Sequence, residues 1–222
     1  MKPSLIIKNL TFEINKKLIF NNINIILESD TIYALIGDNG SGKTTLFKSI
    51  IGLNNNLKNN IEFNNKNLNN LSINFIANKF SFLSQENFNL TYCLARQRIA
   101  HGLIPIYGLN PWLQDEQISL IEQVAKNLNI THLLDRSINL ISGGEQRLVN
   151  IAKSVINPQC EVFLLDEPSV FLDFKQKDFL IDYLLKLKSP KRIIIFSSHD
   201  MDFINKCANK ILLLKDNQIL QK

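Results

Sequence analysis

The chain has 222 residues, of which 45% are hydrophobic, so it can bury the core of one large domain or of a domain with a subdomain. The net charge is only +5, and the lysines and arginines are scattered rather than clustered, so no nucleic-acid partner is expected. Three cysteines without C-x-x-C spacing indicate neither a disulfide framework nor a zinc site, and no apolar run is long enough for a signal peptide or a membrane span. This composition predicts a soluble protein of the cytoplasm.

The first part of the chain is rich in β-forming residues. Strands are predicted over residues 5–14, 17–20 and 23–27, with turns at Asn15-Lys16 and Asn21-Asn22. Three β segments in succession predict a small antiparallel layer packed on a parallel core. A fourth, Thr31–Ile36, leads into a glycine-rich loop.

That loop is the strongest signal in the sequence, because a strand precedes it and a segment with helical spacing, residues 46–51, follows it. It consists of Gly37, Asp38, Asn39, Gly40, Ser41, Gly42, Lys43, Thr44 and Thr45. In a G-x-x-x-x-G-K-[ST] loop the glycines let backbone N–H groups face phosphate oxygens. Lys43 is predicted to reach the β- and γ-phosphates, and the Thr44 hydroxyl to bind Mg²⁺. The loop therefore predicts a nucleoside triphosphate site.

The rest of the chain alternates between strands and helices. After short strands at 61–63 and 80–85, helical spacing appears at 92–101 and 117–128, and Ser142 is placed to cap a helix over 145–156. Strands at 161–167 and 192–196 then alternate with helices at 178–187 and 201–208, and a β pair at 211–214 and 218–220 closes the chain. Alternation of apolar strands with helices predicts a parallel sheet covered on both faces.

Two carboxylates end the most apolar of these strands. Asp166, at the end of a strand beside a phosphate loop, is placed to hold Mg²⁺, directly or through water. Glu167 then faces the γ-phosphate, where it can orient and deprotonate a water molecule. Together with the loop, this pair predicts hydrolysis as well as binding.

At this point the sequence resembles the nucleotide-binding domain of ABC transporters. The resemblance rests on six motifs in the family's order: Walker A at 37–45, the Q-loop glutamine Gln85, the signature Ile141-Ser142-Gly143-Gly144-Glu145, Walker B with the catalytic glutamate at 162–167, the D-loop at 169–173, and the switch histidine His199. The signature differs from the family's LSGGQ by Ile for Leu and Glu for Gln, both mild changes.

The resemblance implies an α/β fold of the P-loop NTPase type, with a mostly parallel RecA-like core sheet, an N-terminal antiparallel β subdomain and an inserted helical subdomain. It implies one ABC ATPase domain over residues 1–222. Residues 1–85 and 158–222 would form the ATP-binding core with the β subdomain, and residues 86–157 the helical subdomain that carries the signature.

The resemblance also assigns the site. Glu167 and His199 are the catalytic residues, and ATP binds to the Walker A loop, Gln85 and Asp166. The Mg²⁺ ligands are Thr44, Gln85 and Asp166. Ser142 and its glycines form an anion cradle at a helix N-terminus, but within one chain it lies far from Lys43. Two chains head-to-tail would therefore sandwich ATP, with five residues acting across the dimer: Ser142, Gly143, Gly144, Glu145 and Asp173.

For partners, the resemblance implies a separate membrane permease docked near Gln85 and the helical subdomain, a substrate-binding protein, and a place at the cytoplasmic face of the inner or plasma membrane. Residues 129–136 and 145–149 resemble ATPases of importers for metal chelates such as iron-siderophore, haem or cobalamin, or for metal ions. Three alternatives remain open: a small exporter of the haem or lipid kind, a soluble non-transport ABC ATPase, and a degenerate ATPase acting as a regulatory module.

Three positions depart from the family's pattern. Ile14 stands where the family often stacks an aromatic ring on adenine, so the preference for adenine is expected to be weaker. The D-loop carries the bulky Phe171 where alanine is common. The signature helix continues with Gln146-Arg147-Leu148, whereas many members have arginine at the last of these positions.

Overall fold

A computed structural model describes residues 3–54, 60–85, 92–110 and 112–221 of the protein. The strands are β1 Ser4–Ile14, β2 Lys17–Glu28, β3 Thr31–Ile36, β4 Ile61–Phe63, β5 Lys66–Asn67, β6 Phe80–Leu83, β7 Val162–Leu165, β8 Ile193–Ser197, β9 Lys210–Lys215 and β10 Gln218–Gln221. The α-helices are α1 Lys43–Ile50, α2 Ile73–Lys79, α3 Ala95–Ala100, α4 Ile104–Tyr107, α5 Asp115–Asn127, α6 Gly143–Val155, α7 Phe174–Leu187 and α8 Met201–Cys207. Short 3₁₀ turns span Leu68–Asn70, His101–Leu103, Thr131–Leu133 and Ile138–Leu140.

The strands form two sheets. A four-stranded antiparallel sheet has the order β2-β1-β4-β5, and a six-stranded sheet has the order β10-β9-β3-β8-β7-β6, parallel except for the closing β9–β10 pair. The predicted class is confirmed: an α/β fold with a mostly parallel core sheet, an antiparallel N-terminal layer and helices inserted between β6 and β7.

Each central parallel strand contributes side chains to two hydrophobic clusters, one on each face of the sheet. In β3, Ile32 and Ala34 pack with the helices on one face, whereas Tyr33 and Leu35 pack with α1 and the antiparallel sheet on the other. Because successive side chains in a strand point to opposite faces, a strand covered on both faces must be apolar throughout. This is why β3, β7 and β8 read as continuous hydrophobic runs.

The predicted turn at Asn21-Asn22 is wrong, because β2 continues through it. Leu10 pairs with Ile23 and Phe12 with Phe20, so two asparagines oppose the single residue Thr11. This is a β-bulge, in which Asn22 adopts φ 53° and its backbone N–H donates to Thr11 Oγ1 at 3.0 Å. The asparagines that predict a turn instead bend a continuous hairpin strand.

Helix α2 is missing from the sequence prediction. Ser72 caps it by accepting a hydrogen bond from the Phe75 backbone at 3.1 Å, but none of its residues is buried, and Ile73 is 80% exposed. Without a buried face there is no apolar periodicity to reveal a helix.

Other boundaries shift by a few residues. Helix α7 begins at Phe174 rather than at residue 178, because the Asp173 side chain caps it by accepting from the Gln176 backbone. Helix α3 begins only at Ala95, because Leu94 forms a β-bridge with Ser137. The predicted inserted segment also includes residues 86–91 and 111, which lie outside the described residues.

Candidate nucleotide site at the carboxyl edge of the parallel sheet

The carboxyl ends of β3, β6, β7 and β8 lie at one edge of the sheet, because these strands run in parallel. The loops that follow them carry the Walker A residues, Gln85, the Asp166-Glu167 pair and His199 in turn. Ligands of open α/β sheets bind at this edge. The topology thus explains how residues more than a hundred positions apart meet.

A cavity of about 370 Å³ lies at this edge. Its lining consists of Ile19, Asn39, Gly40, Gly42, Lys43, Thr44, Thr45, Gln85, Asp166, Glu167, Val170 and His199. Most of the predicted nucleotide-site residues therefore come together. Ile19 is an addition that the sequence analysis missed, since an aliphatic residue in a strand gives no signal of its own. Val170 belongs to the D-loop that the resemblance named, but it was not assigned to the nucleotide site.

The glycine loop turns between β3 and α1 in a backbone conformation that needs glycine. Gly40 and Gly42 have φ values of 77° and 108°, and a Cβ atom on Gly42 would lie 2.7 Å from Ile19 Cγ2. Only glycine fits both the left-handed backbone and the close approach of β2. The first turn of α1, with its free backbone N–H groups, therefore opens directly into the cavity.

Lys43 lies at the start of α1, and its Nζ donates to the carbonyl oxygens of Gly37 and Asp38 at 2.7 and 3.2 Å. The same Nζ lies 3.1 Å from His199 Nε2. Burial lowers the pKa of Lys43, while the nearby carboxylates of Glu167, Asp166 and Asp38 oppose that shift. The ammonium group is thus pre-positioned at the loop by two main-chain acceptors.

Asp166 is 1% exposed, and both of its carboxylate oxygens accept hydrogen bonds. Thr44 Oγ1 donates to Oδ2 at 2.5 Å, and Ser197 Oγ donates to Oδ1 at 2.6 Å. The threonine hydroxyl and the carboxylate, predicted Mg²⁺ ligands, are therefore in direct contact. Ser197, at the end of β8, is a supporting residue that the sequence analysis did not single out.

Glu167 is buried beside His199, with Oε1 3.4 Å from Nε2. Burial raises the pKa of Glu167, against the lowering effect of His199 and Lys43. Its backbone has φ 49°, an unusual value for a residue other than glycine, and its N–H donates to Ser197 Oγ at 2.8 Å. A carboxylate with a raised pKa in a polar cavity has the properties of a general base.

The residues predicted to act across a dimer lie elsewhere. Ser142 caps α6 by accepting from the Glu145 backbone at 3.3 Å, and Glu145 Oε2 accepts from the Ser142 backbone at 2.8 Å. The hydrogen bonds that the Glu145 carboxylate accepts from the backbone N–H and the hydroxyl of Ser142 lower the pKa of Glu145. A Cβ atom on Gly144 would lie 2.7 Å from the carbonyl oxygen of Phe171, so the signature packs on the D-loop. The structure does not bring Ser142, Gly143, Gly144, Glu145 or Asp173 to the lining of the cavity.

Ile14, at the predicted adenine position, is 42% exposed and is not among the residues that line the cavity. Phe12, two residues earlier, stacks on Phe20 with ring centroids 6.3 Å apart. The described lining contains no Phe, Tyr or Trp; its apolar members are Ile19 and Val170.

A family model described as "ABC transporter" matches residues 20–170, more than half of the chain. The chain is 31% identical over 217 residues to the energy-coupling factor transporter ATP-binding protein EcfA of Aster yellows witches'-broom phytoplasma, covering 97% of the chain and 78% of that protein. It is 30% identical over 216 residues to the molybdate import ATP-binding protein MolC of Haemophilus influenzae, covering 96% and 80%.

A relative from Clostridium tetani, described as an ABC transporter ATP-binding protein, is 29% identical over 218 residues; the match covers 97% of this chain but only 48% of that protein. Among solved structures, an inward-facing transporter assigned to the metal-chelate ABC type matches with a TM-score of 0.80 at 25% identity, over 100% of this chain and 83% of that one.

Proposed function

The chain belongs to the ABC transporter family, whose ATP-binding members are ATPases coupled to transport, and from this premise we propose that it is the ATP-hydrolysing subunit that powers a separate membrane permease. One observation carries the proposal: Lys43, the Thr44–Asp166 pair and the Glu167–His199 pair converge on a single cavity at the carboxyl edge of the sheet. None of the helices among the described residues has the length and apolar character needed to cross a bilayer.

We propose that Mg²⁺ is held at this edge by oxygen donors of Thr44, Asp166 and Gln85. Mg²⁺ prefers hard oxygen ligands and, at nucleotide sites, takes one or two protein carboxylates with the phosphates and water completing its shell. The donor set fits, because a hydroxyl and a buried carboxylate are already in contact and Gln85 lines the same cavity. The ion would neutralise charge on the phosphates during transfer.

In the proposed mechanism the glycine loop and Lys43 hold the phosphates, with the start of α1 facing the same charge. Glu167 accepts the proton of the attacking water, and burial favours this role by raising its affinity for a proton. His199, within 3.4 Å of Glu167 and 3.1 Å of Lys43, is placed to contact both the carboxylate and the γ-phosphate.

We propose that two copies associate head-to-tail, so that the five signature and D-loop residues complete the partner's nucleotide site. Two features support this: the signature contacts the D-loop, and none of the five residues lines its own chain's cavity. ATP then stabilises the closed dimer, and hydrolysis releases it.

We propose one ABC ATPase domain over residues 1–222, with an ATP-binding core of 1–85 and 158–222 and a helical subdomain of 86–157. The permease would dock near Gln85 and on this subdomain, where Tyr92, Leu109 and Trp112 expose 94%, 87% and 81% of their surface. This docking would hold the chain at the cytoplasmic face of the membrane.

We propose import of a metal ion or metal chelate as the transport function, with a substrate-binding protein as a further partner. MolC is named for molybdate import, and the matched structure is assigned to the metal-chelate type, both in line with the resemblance of residues 129–136 and 145–149. Export by a small haem or lipid transporter and a soluble non-transport role are the alternatives.

Capture of partners from native membranes tests this function. Tagged Glu167→Gln protein, incubated with ATP and gently solubilised membranes, is expected to retain a polytopic membrane protein in stoichiometric amount, identified by mass spectrometry. Trp112→Ala in the same background should weaken that capture, whereas Ile26→Ala, which removes an exposed side chain from the antiparallel sheet, should not. Ribosomal or DNA-bound partners without a membrane protein would contradict the transporter role.

We expect weak discrimination between ATP and GTP, because the described cavity lining contains no Phe, Tyr or Trp on which a base could stack. Introducing a ring with Ile14→Tyr should lower the Kd for ATP by several-fold, since stacking on a base contributes about 1–3 kcal/mol. Titration of both nucleotides by fluorescence or calorimetry measures this, with Ile14→Val as the matched control. A strong preference for ATP in the natural chain would show that another group reads the base.

A further inference from the structure

Arg147 is the bulkiest of the fully buried side chains among the described residues, with 1% of its surface exposed. It lies on α6, five residues after the signature serine Ser142. Building on the proposed role of Glu167, we infer that Arg147 is a positioning residue that connects the signature helix α6 to the backbone of Glu167. The Glu167 carboxylate then points toward the nucleotide only while α6 is packed against the sheet.

The contacts of Arg147 join two strands to the helix. One terminal nitrogen, Nη1, donates to the carbonyl oxygen of Ser84 at 2.9 Å, just after β6. The other, Nη2, donates to the carbonyl oxygens of Asp166 and Glu167 at 2.5 and 2.9 Å, just after β7. The planar guanidinium fork can satisfy acceptors in two directions at once, which a lysine ammonium cannot do with the same rigidity.

One of these contacts is to a residue with an unusual backbone conformation. Glu167 has φ 49°, in a region that a residue with a side chain occupies only when its surroundings impose it. Its N–H is held by Ser197 Oγ at 2.8 Å and its carbonyl by Arg147, so the residue is clamped from both sides. That clamp sets the direction in which the carboxylate leaves the main chain, toward His199 at 3.4 Å.

Stability alone does not account for an arginine at this position. Burial lowers the pKa of Arg147 to about 10, and its Nε has no partner among the described residues, so the charge is held with a desolvation cost. Apolar residues in place of buried charged groups are often as stable or more stable. What the guanidinium specifically supplies is a set of N–H donors for three main-chain carbonyl oxygens at the catalytic edge.

The test compares Arg147→Lys and Arg147→Met in the full-length chain by steady-state ATPase kinetics. We expect kcat to fall about tenfold for lysine and about 100-fold for methionine, because misplacement of a catalytic group by about 1 Å costs that much. The KM for ATP should stay within about twofold of the natural value, since the phosphate loop is not contacted. Lys153→Met, on the same helix but away from the site, is the matched control and should leave kcat unchanged.

A purely structural role predicts a different outcome. In that case kcat would fall only in proportion to the folded fraction measured by thermal unfolding, or KM would rise as kcat falls; either result overturns the inference. If Arg147→Met does not fold, the lysine variant, which keeps the charge and the stem, decides the question by the same criteria.

A double-mutant cycle separates this inference from the proposed function. Single-turnover hydrolysis in the Glu167→Gln background should show no further loss on adding Arg147→Lys, because Arg147 acts through Glu167. Multiplicative losses would overturn the link. Full activity of Glu167→Gln alone would instead remove the general-base role of Glu167, whatever Arg147 does.

Discussion

Replacement of Glu167 by glutamine is expected to lower kcat about a thousandfold while leaving the Kd for ATP nearly unchanged. The amide keeps the size and the main-chain geometry of the residue but cannot accept the proton of the attacking water, and a general base contributes about 10²–10⁴-fold to rate. Steady-state phosphate release and nucleotide titration on the same preparation measure the two quantities separately.

The same variant should accumulate as an ATP-stabilised dimer. If ATP joins two copies and hydrolysis separates them, blocking hydrolysis shifts the population to the closed state. Light scattering with and without ATP and Mg²⁺ detects the change in mass.

Glu161→Gln is the matched control for this replacement. Glu161 lies just before the amino end of the same strand, β7, and pairs with Lys79 at 2.6 Å, far from the cavity lining. Its replacement should change neither rate nor dimerisation. Turnover of Glu167→Gln at the natural rate would be incompatible with Glu167 as the base.

Replacement of Lys43 by alanine is expected to weaken the binding of ATP, the step that precedes hydrolysis. The ammonium group is pre-positioned by the Gly37 and Asp38 carbonyls at the end of the cavity formed by the glycine loop. Losing a charge-assisted contact to two phosphate groups should raise the Kd for ATP about 100-fold. Titration with a fluorescent ATP analogue, or calorimetry, gives the Kd directly.

Lys48→Ala controls for the loss of a lysine from the same helix. Lys48 lies in the last turn of α1 and is exposed, so its removal should leave affinity unchanged. Since salt screens exposed charges more than buried ones, the effect at Lys43 should persist at higher ionic strength. Native affinity in Lys43→Ala would contradict the phosphate-loop assignment.

Some of the fold follows from local patterns that the sequence displays openly. The Ser142 cap is an example: a serine followed three residues later by glutamate predicts a capping box, and the structure has both of its hydrogen bonds. The apolar runs of β3, β7 and β8 likewise predict buried parallel strands. These patterns predict the structure correctly because each depends only on residues within a few positions of one another.

Other features of the structure could not be predicted from the sequence, because they depend on contacts with residues distant in the chain or leave no periodic pattern of apolar residues. The asparagines of the β2 bulge have the composition of a turn, and only pairing with β1 makes the strand continuous. Helix α2 has no buried face. Arg147 stands in the sequence next to Leu148, the position at which many family members have arginine, and nothing in the sequence indicates that its guanidinium contacts residues 84, 166 and 167.

The residues alone predict the phosphate loop with Lys43 and Thr44, the acidic pair after an apolar strand, and the signature, because each is a short run with a characteristic spacing. How these runs meet in space depends on the tertiary fold. The strand order β3-β8-β7-β6 places their carboxyl ends side by side, and that order depends on packing between residues distant in the chain. The clamp on Glu167 arises in the same way, from Ser197 on one strand and Arg147 on a helix, which no local pattern can join.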